Sequence, residues 1–232
     1  MPTGETSWLH RLPGQFIVFD GLDGSGKTTQ LNRFADYAQH EGLEVCRLRD
    51  PGGTEVGEQI RRILLRPEND EPLDLTCEML LFMASRAQLM AQCIRPALAQ
   101  QQLVLIDRFI SSTLAYQGAA GGLTIEQIKS VGTVALGDCW PRLVVIFDVD
   151  EATAAERLTG KAKRSRFVDV EQPSLFSDRI EVRGNEFQRR VRQGFLDQAK
   201  SDPGRHLVID ATPDADTVFE SLLTAMRAQF ND

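Results

Sequence analysis

Gln15-Phe16-Ile17-Val18-Phe19-Asp20-Gly21-Leu22-Asp23-Gly24-Ser25-Gly26-Lys27-Thr28 is the stretch that decides the fold. An apolar run suited to a buried strand, Gln15–Phe19, passes into a turn rich in glycine, and from Lys27 to about Gln39 the apolar residues take helical spacing. Gly21 to Thr28 fits G-x-x-x-x-G-K-[ST] at every fixed position, between strand and helix, which is the context in which that pattern cradles phosphate. The glycines let successive amides face one anion, and the following helix adds the positive end of its dipole. Gly21, Leu22, Asp23, Gly24, Ser25, Gly26, Lys27 and Thr28 are thus the candidate residues for holding a nucleoside triphosphate. Lys27 neutralises the β- and γ-phosphates and the Thr28 hydroxyl ligates magnesium. The plainer alternative is a glycine-rich turn with Lys27 in solvent.

Outward from this turn the pattern repeats. Short apolar runs at Glu44–Leu48, Leu103–Ile106, Leu143–Phe147 and His206–Ile209 are each followed by turn residues and then a helical segment. The predicted helices run from Val56 to Leu65, Leu73 to Leu98, Thr124 to Leu136, Ala152 to Leu158, Ile180 to Gln198 and Ala215 to Phe230. Such alternation builds right-handed βαβ crossovers, an α/β fold whose five-stranded parallel sheet is flanked by helices on both faces. Ligands of an open parallel sheet bind beyond the carboxyl ends of its strands. The loops there are distinctive: Asp20 to Thr28 after the first strand, Arg49-Asp50-Pro51-Gly52-Gly53-Thr54 after the second, Asp107-Arg108 after the third.

Bulk properties bound the function. A chain of 232 residues, 42% apolar and 25% charged, with no linker-like tract, reads as one domain over 15–232 preceded by a frayed polar tail, 1–14. A net charge of −7 argues against nonspecific binding of nucleic acid. Cys46, Cys77, Cys93 and Cys139 form no C-x-x-C pair, so free thiols in a reducing compartment are expected. Residues 1–14 lack the apolar core of a signal peptide, and no apolar run approaches the roughly 18 residues of a membrane span. A cytoplasmic location is the expectation.

A phosphate loop alone does not fix the chemistry. No N-K-x-D occurs to read guanine, although Asp50-Pro51-Gly52-Gly53 fits the loose D-x-x-G pattern. A motor ATPase would carry a second acid after Asp107, where this chain has Arg108. An aspartate ending the third strand can orient magnesium or its waters, and the adjacent arginine can clamp a second phosphate, which points to transfer onto a phosphorylated acceptor. A surface Asp–Arg pair is the plainer reading.

Four segments together resemble the thymidylate kinase family, over nearly everything from Gln15 to Phe230. They are Phe19 to Thr29; Arg49 to Thr54; Asp107-Arg108 through Ser111, Ser112, Ala115, Tyr116, Gln117 and Gly118; and Asp178-Arg179-Ile180-Glu181. The resemblance implies a P-loop nucleoside monophosphate kinase fold, with ATP as phosphate donor, Mg2+ as cofactor, dTMP as acceptor and a homodimer in which the Leu73–Leu98 helix is a plausible contact. It implies that Phe82 stacks on the thymine, that Arg86, one turn on, bonds the base edge, and that Thr113 and Gln117 add hydrogen bonds. The resemblance further implies that Tyr116 lies against the sugar and excludes a 2′-hydroxyl, that Pro51 shapes the acceptor pocket, and that Arg108 clamps the acceptor phosphate. It also implies that Asp20 holds magnesium or orients that arginine, so the expected metal set is Thr28, Asp20 and Asp107. Without the resemblance, Phe82 reads as ordinary core and Tyr116 as a half-buried aromatic.

The chain departs from the family pattern in places. Asp20 stands where many relatives have Glu, and Phe109 where Tyr or His is usual. Gly24 occupies the phosphate-loop position at which some relatives carry an arginine, so the transition-state cation is expected from a lid at about 160–180, with Arg164 and Arg179 as catalytic candidates and Arg166 behind them. This lid is longer than usual: Lys161, Lys163, Arg164 and Arg166 precede an added stretch containing Glu171, Pro173 and Phe176. His10, His40 and His206 fall in no candidate site. The rivals are a kinase of another pyrimidine nucleotide or of a deoxynucleoside and, from another class, a nucleotide-binding regulatory module without turnover.

Overall fold

The computed structural model describes residues 7–65, 72–165 and 184–231. In chain order its elements are β1 (Phe16–Gly21), α1 (Lys27–His40), β2 (Val45–Arg49), α2 (Glu55–Leu65), α3 (Leu75–Leu89), α4 (Arg95–Ala99), β3 (Leu103–Asp107), α5 (Ile110–Thr113), α6 (Ile125–Leu136), β4 (Leu143–Asp148), α7 (Glu151–Ser165), α8 (Gly184–Ser201), β5 (His206–Asp210) and α9 (Ala215–Asn231). The strands form one parallel sheet in the order β2-β3-β1-β4-β5. β1, the central strand, is buried along its whole length, which explains why its residues are apolar on both faces rather than alternating.

Strand order diverges on either side of β1, and the crevice at such a switch point is where the site lies. The register aligns Phe19 with Asp107 and Arg49 with Asp107, so three chemically distinctive loops leave the sheet along one rim. Two backbone bonds continue the ladder past the strands: Asp50 N donates to Asp107 O, and Arg108 N donates to Phe19 O, each at 3.0 Å.

Three differences from the sequence reading have physical causes. The expected Leu73–Leu98 helix is interrupted by a π-helical turn, Met90–Ile94, just before Pro96. A proline has no N–H for the i−4 carbonyl and its ring crowds that carbonyl, so the wider turn relieves both problems. The segment after Arg108, read only as a motif, is helical: α5 leads into a second π-helical turn, Leu114–Ala120. Its Ser-Ser-Thr start is weak helix-forming sequence, and tertiary contacts override it.

The N-terminal segment is the third. From Ser7 onward it is no frayed tail but a 3-10 turn, Ser7–Arg11, that buries Trp8, Leu9 and Leu12. Trp8 stacks on Phe34 of α1 with centroids 6.3 Å apart, and the turn packs on α9. Isolated apolar residues in a polar stretch carry no periodic signal, so only the tertiary surface reveals their use. The predicted start of α8 at Ile180 lies outside the described residues.

Candidate active site

The turn from β1 to α1 needs glycine for space as well as conformation. Gly21 has φ +139° and a Cβ there would stand 2.5 Å from Phe147 O; Gly24 has φ +84° and its Cβ would meet Ala154 O at 2.3 Å. The loop is therefore wedged between β4 and the first turns of α7. Lys27 is buried, with Nζ 3.4 Å from both Leu22 O and Asp23 Oδ1. The Thr28 hydroxyl donates to Asp107 Oδ2, which joins the phosphate loop to the end of β3.

Arg108 is the hub of the site. It is 2% exposed and sits at φ +67°, a strained region for a residue with a side chain. Its guanidinium donates to Asp20 Oδ1 at 3.1 Å, Ser112 Oγ at 2.9 Å, Asp23 Oδ1 at 2.9 Å and Tyr116 Oη at 3.4 Å. Asp20 is fully buried and also accepts from Gly21 N and from the Ser111 and Ser112 hydroxyls. Both its oxygens are engaged in this way, an arrangement that suits orienting Arg108. Burial alone would depress the Arg108 pKa, but Asp23, Tyr116, Asp20 and Asp107 raise it far above the usual value. Burial pushes the Asp23 carboxyl up, yet Arg108 and Lys27 outweigh it and hold the pKa below the ordinary aspartate range. The Tyr116 hydroxyl is pushed up by burial despite Arg108, so it stays protonated.

Of the predicted acceptor residues, Phe82, Arg86 and Thr113 meet directly. Arg86 of α3, 1% exposed, donates through Nε to Asp50 Oδ2 at 2.7 Å, through one terminal nitrogen to Thr113 Oγ1 at 2.8 Å and through the other to Phe109 O at 2.8 Å. Its Cζ lies 5.6 Å from the centroid of Phe82 and 5.5 Å from that of Phe109, so Phe109 packs behind the arginine. Burial pushes the Asp50 carboxyl pKa up even with Arg86 beside it, and Asp50 Oδ1 has no hydrogen-bond partner among the described residues. The Asp50–Pro51 peptide is cis. Gln117 is buried and donates to Glu78 Oε1 at 3.0 Å, and Tyr116 packs edge-on against Phe195 at 6.2 Å.

A cleft of about 640 Å³ opens between the phosphate loop and β2, bounded by Lys27, Thr28, Asp107 and Arg108 on one side and Arg47, Arg49 and Arg61 on the other. Arg61 was not singled out in the sequence. It donates to Pro51 O at 2.9 Å, and burial together with the charge of Arg49 lowers its pKa to about 10. The available signal was its position: Gly57, Ile60, Arg61 and Leu64 share the buried face of α2, where a cation is out of place unless something anionic meets it. Glu78 and Asp50, which hold Gln117 and Arg86, were likewise given no role.

Arg164 lies on α7 ten residues beyond Ala154, about 15 Å along the helix axis from the contact with the phosphate loop. Arg166 and Arg179 lie outside the described residues. Among the described residues no group of three or more His, Cys, Asp and Glu side chains could cage a metal, and no helix is long and apolar enough to cross a membrane.

Comparison with known proteins identifies the family. The family model for thymidylate kinase matches residues 19–222. Thymidylate kinase of Kosmotoga olearia is 41% identical over 208 residues, 90% of this chain and 93% of the relative, and that of Chlorobium luteolum is 38% identical over 220 residues, 93% and 98%. The crystal structure of thymidylate kinase from Ehrlichia chaffeensis superposes with a TM-score of 0.71 at 32% identity, covering 93% of this chain and 98% of that one. With a phosphate loop, a buried aspartate-held arginine and a buried cluster around Arg86 on one rim of a five-stranded parallel sheet, the chain belongs to the thymidylate kinase family.

Proposed function

We infer that the chain transfers the γ-phosphate of ATP to dTMP, giving ADP and dTDP. The observation that carries this reading is the placement of Arg108, a buried cation held by Asp20 and Asp23, beside Lys27 of the phosphate loop. Two phosphates that must meet in line need two fixed cationic ends, and phosphoryl transfer asks for positioning and charge more than for a covalent group. A deoxynucleoside has no phosphate for Arg108 to clamp, so a nucleoside monophosphate fits better.

On this reading Lys27 and the amides from Gly21 to Thr28 hold the donor phosphates, Arg108 holds the acceptor phosphate, and Pro51, Phe82, Arg86, Thr113, Tyr116 and Gln117 enclose the nucleoside. The Thr28 hydroxyl and the Asp107 carboxylate are hard oxygen donors in contact, a set that fits Mg2+ completed by waters and phosphate oxygens. When bound, Mg2+ neutralises charge on the donor phosphates. A lid at about 160–180 supplies the further cation from Arg164 or Arg179.

A homodimer also fits. Val56 and Ile63 on α2, Leu80 on α3 and Val134 on α6 are exposed apolar residues on helices that pack against one another, and an apolar face of this kind suits a second copy. Free thiols at Cys46, Cys77, Cys93 and Cys139 suit the cytoplasm. The deciding experiment is a coupled ADP-release assay with a panel of nucleoside monophosphates and deoxynucleosides. Preference for dTMP is expected; turnover with other acceptors and none with dTMP overturns the reading.

A further inference from the structure

Gln117 is 1% exposed, and its carboxamide has a partner that decides which end faces where: Nε2 donates to Glu78 Oε1 at 3.0 Å. The amide nitrogen is the end that meets the Glu78 carboxyl, so Gln117 Oε1 turns to the other side. Glu78 is itself buried, in the first turn of α3, and stands four residues before Phe82 and eight before Arg86. That spacing stacks all three on one face of the helix. Glu78 therefore sits on the same wall as the two groups read as contacts to the base.

We propose that Glu78 is a specificity-determining positioning residue: by fixing the orientation of the Gln117 amide, it makes the pocket present an oxygen to the N3 edge of the acceptor base and so selects thymine and uracil over cytosine. The proposal rests on the reading of Gln117 as a contact to the base. Thymine and uracil carry a hydrogen on N3, which Oε1 can accept, whereas cytosine carries a lone pair there. Two acceptors facing each other in a buried site leave both unpaired, and sites built around a hydrogen bond reject analogues that cannot make it far more strongly than apolar pockets do. Arg86, already committed to Asp50, Thr113 and Phe109, offers only donors, which suit the O4 of thymine and oppose the amino group of cytosine. The two side chains thus read adjacent base atoms with opposite polarity, and only Gln117 could reverse its own.

The variant E78Q tests this. The introduced amide can accept as well as donate, so Gln117 can turn over without losing its bond and present Nε2 to the base. With saturating ATP, kcat/KM is measured for dTMP, dUMP and dCMP in the wild type, E78Q and Q117A. The dTMP:dCMP ratio is expected to fall by about tenfold or more in E78Q, with the dTMP:dUMP ratio and the KM for ATP unchanged. If E78Q leaves the dTMP:dCMP ratio within about twofold while Q117A lowers it, Gln117 reads the base but Glu78 does not set it, and the proposal falls. If Q117A leaves the ratio unchanged as well, the reading of Gln117 fails and takes the proposal with it. Should E78Q not fold, Glu78→Met removes the anchoring acceptor and is expected to move the same ratio; a general loss of kcat with the ratio intact counts against the proposal.

Discussion

Replacing Asp20 by alanine tests whether the carboxylate is the anchor of Arg108. In the wild type Asp20 is fully buried and accepts from Arg108 at 3.1 Å, Ser111 at 2.6 Å, Ser112 at 2.8 Å and Gly21 N at 2.9 Å. Removing one partner of a buried pair costs about 3–5 kcal/mol, because the other charge stays buried without compensation. Asp23 still faces Arg108 at 2.9 Å, which keeps the loss near the lower end, about 3 kcal/mol. With a urea m-value of about 3 kcal/mol per molar for a chain of this size, the midpoint drops by about 1 M. Equilibrium urea unfolding by circular dichroism measures it, and Asp20→Asn, which keeps the shape and one acceptor oxygen, is expected to fall between. The acceptor KM rises more than that of ATP, since the freed guanidinium no longer points at one place. A midpoint shift under about 0.3 M with an unchanged acceptor KM would refute the anchoring role.

Lys27→Ala is expected to fold normally and lose turnover, because the Nζ charge serves the transferring phosphate; near wild-type kcat in the folded variant contradicts the phosphate-loop assignment. Tyr116→Ala removes a buried ring beside Arg108 and is expected to relax selection against ribonucleotide acceptors, read as the ratio of kcat/KM for dTMP and its 2′-hydroxyl analogue. An unchanged ratio means Tyr116 is not the sugar gate. The pKa of Asp23 is lower in the folded chain than in an unfolded one, so the stability it gives is complete above the unfolded value of about 3.9 and is lost as pH falls through the folded value. Asp23→Asn should flatten the acid side of the stability–pH curve; an unchanged slope below pH about 4 would show the ion pairs with Lys27 and Arg108 to be energetically empty.

Much of the molecule was legible because the relevant signals are local. The G-x-x-x-x-G-K-T run is contiguous, a buried parallel strand is a short apolar block, and the five blocks appear where the five strands stand. The Asp107-Arg108 pair was read correctly as a rim feature for the same reason: it directly follows such a block. Of the residues expected to contact the acceptor, Phe82 and Arg86 share a helix face by spacing alone.

What the sequence alone determined is therefore the fold class, the phosphate loop and the distinctive residues of the loops along one rim of the sheet. Only the tertiary structure decided how those side chains are held. Asp20 and Arg108 are 88 residues apart, Arg86 and Asp50 are 36 apart, and Gln117 and Glu78 are 39 apart. No periodicity links residues at such separations, because each pair forms only when the sheet order brings β1, β2 and β3 to one rim and lays α3 across it. The same holds for Trp8, whose burial depends on a surface made by α1 and α9. Chemistry in this chain is written in contiguous motifs, but orientation comes from partners distant in sequence: buried polar groups must be paired, and the fold decides with whom.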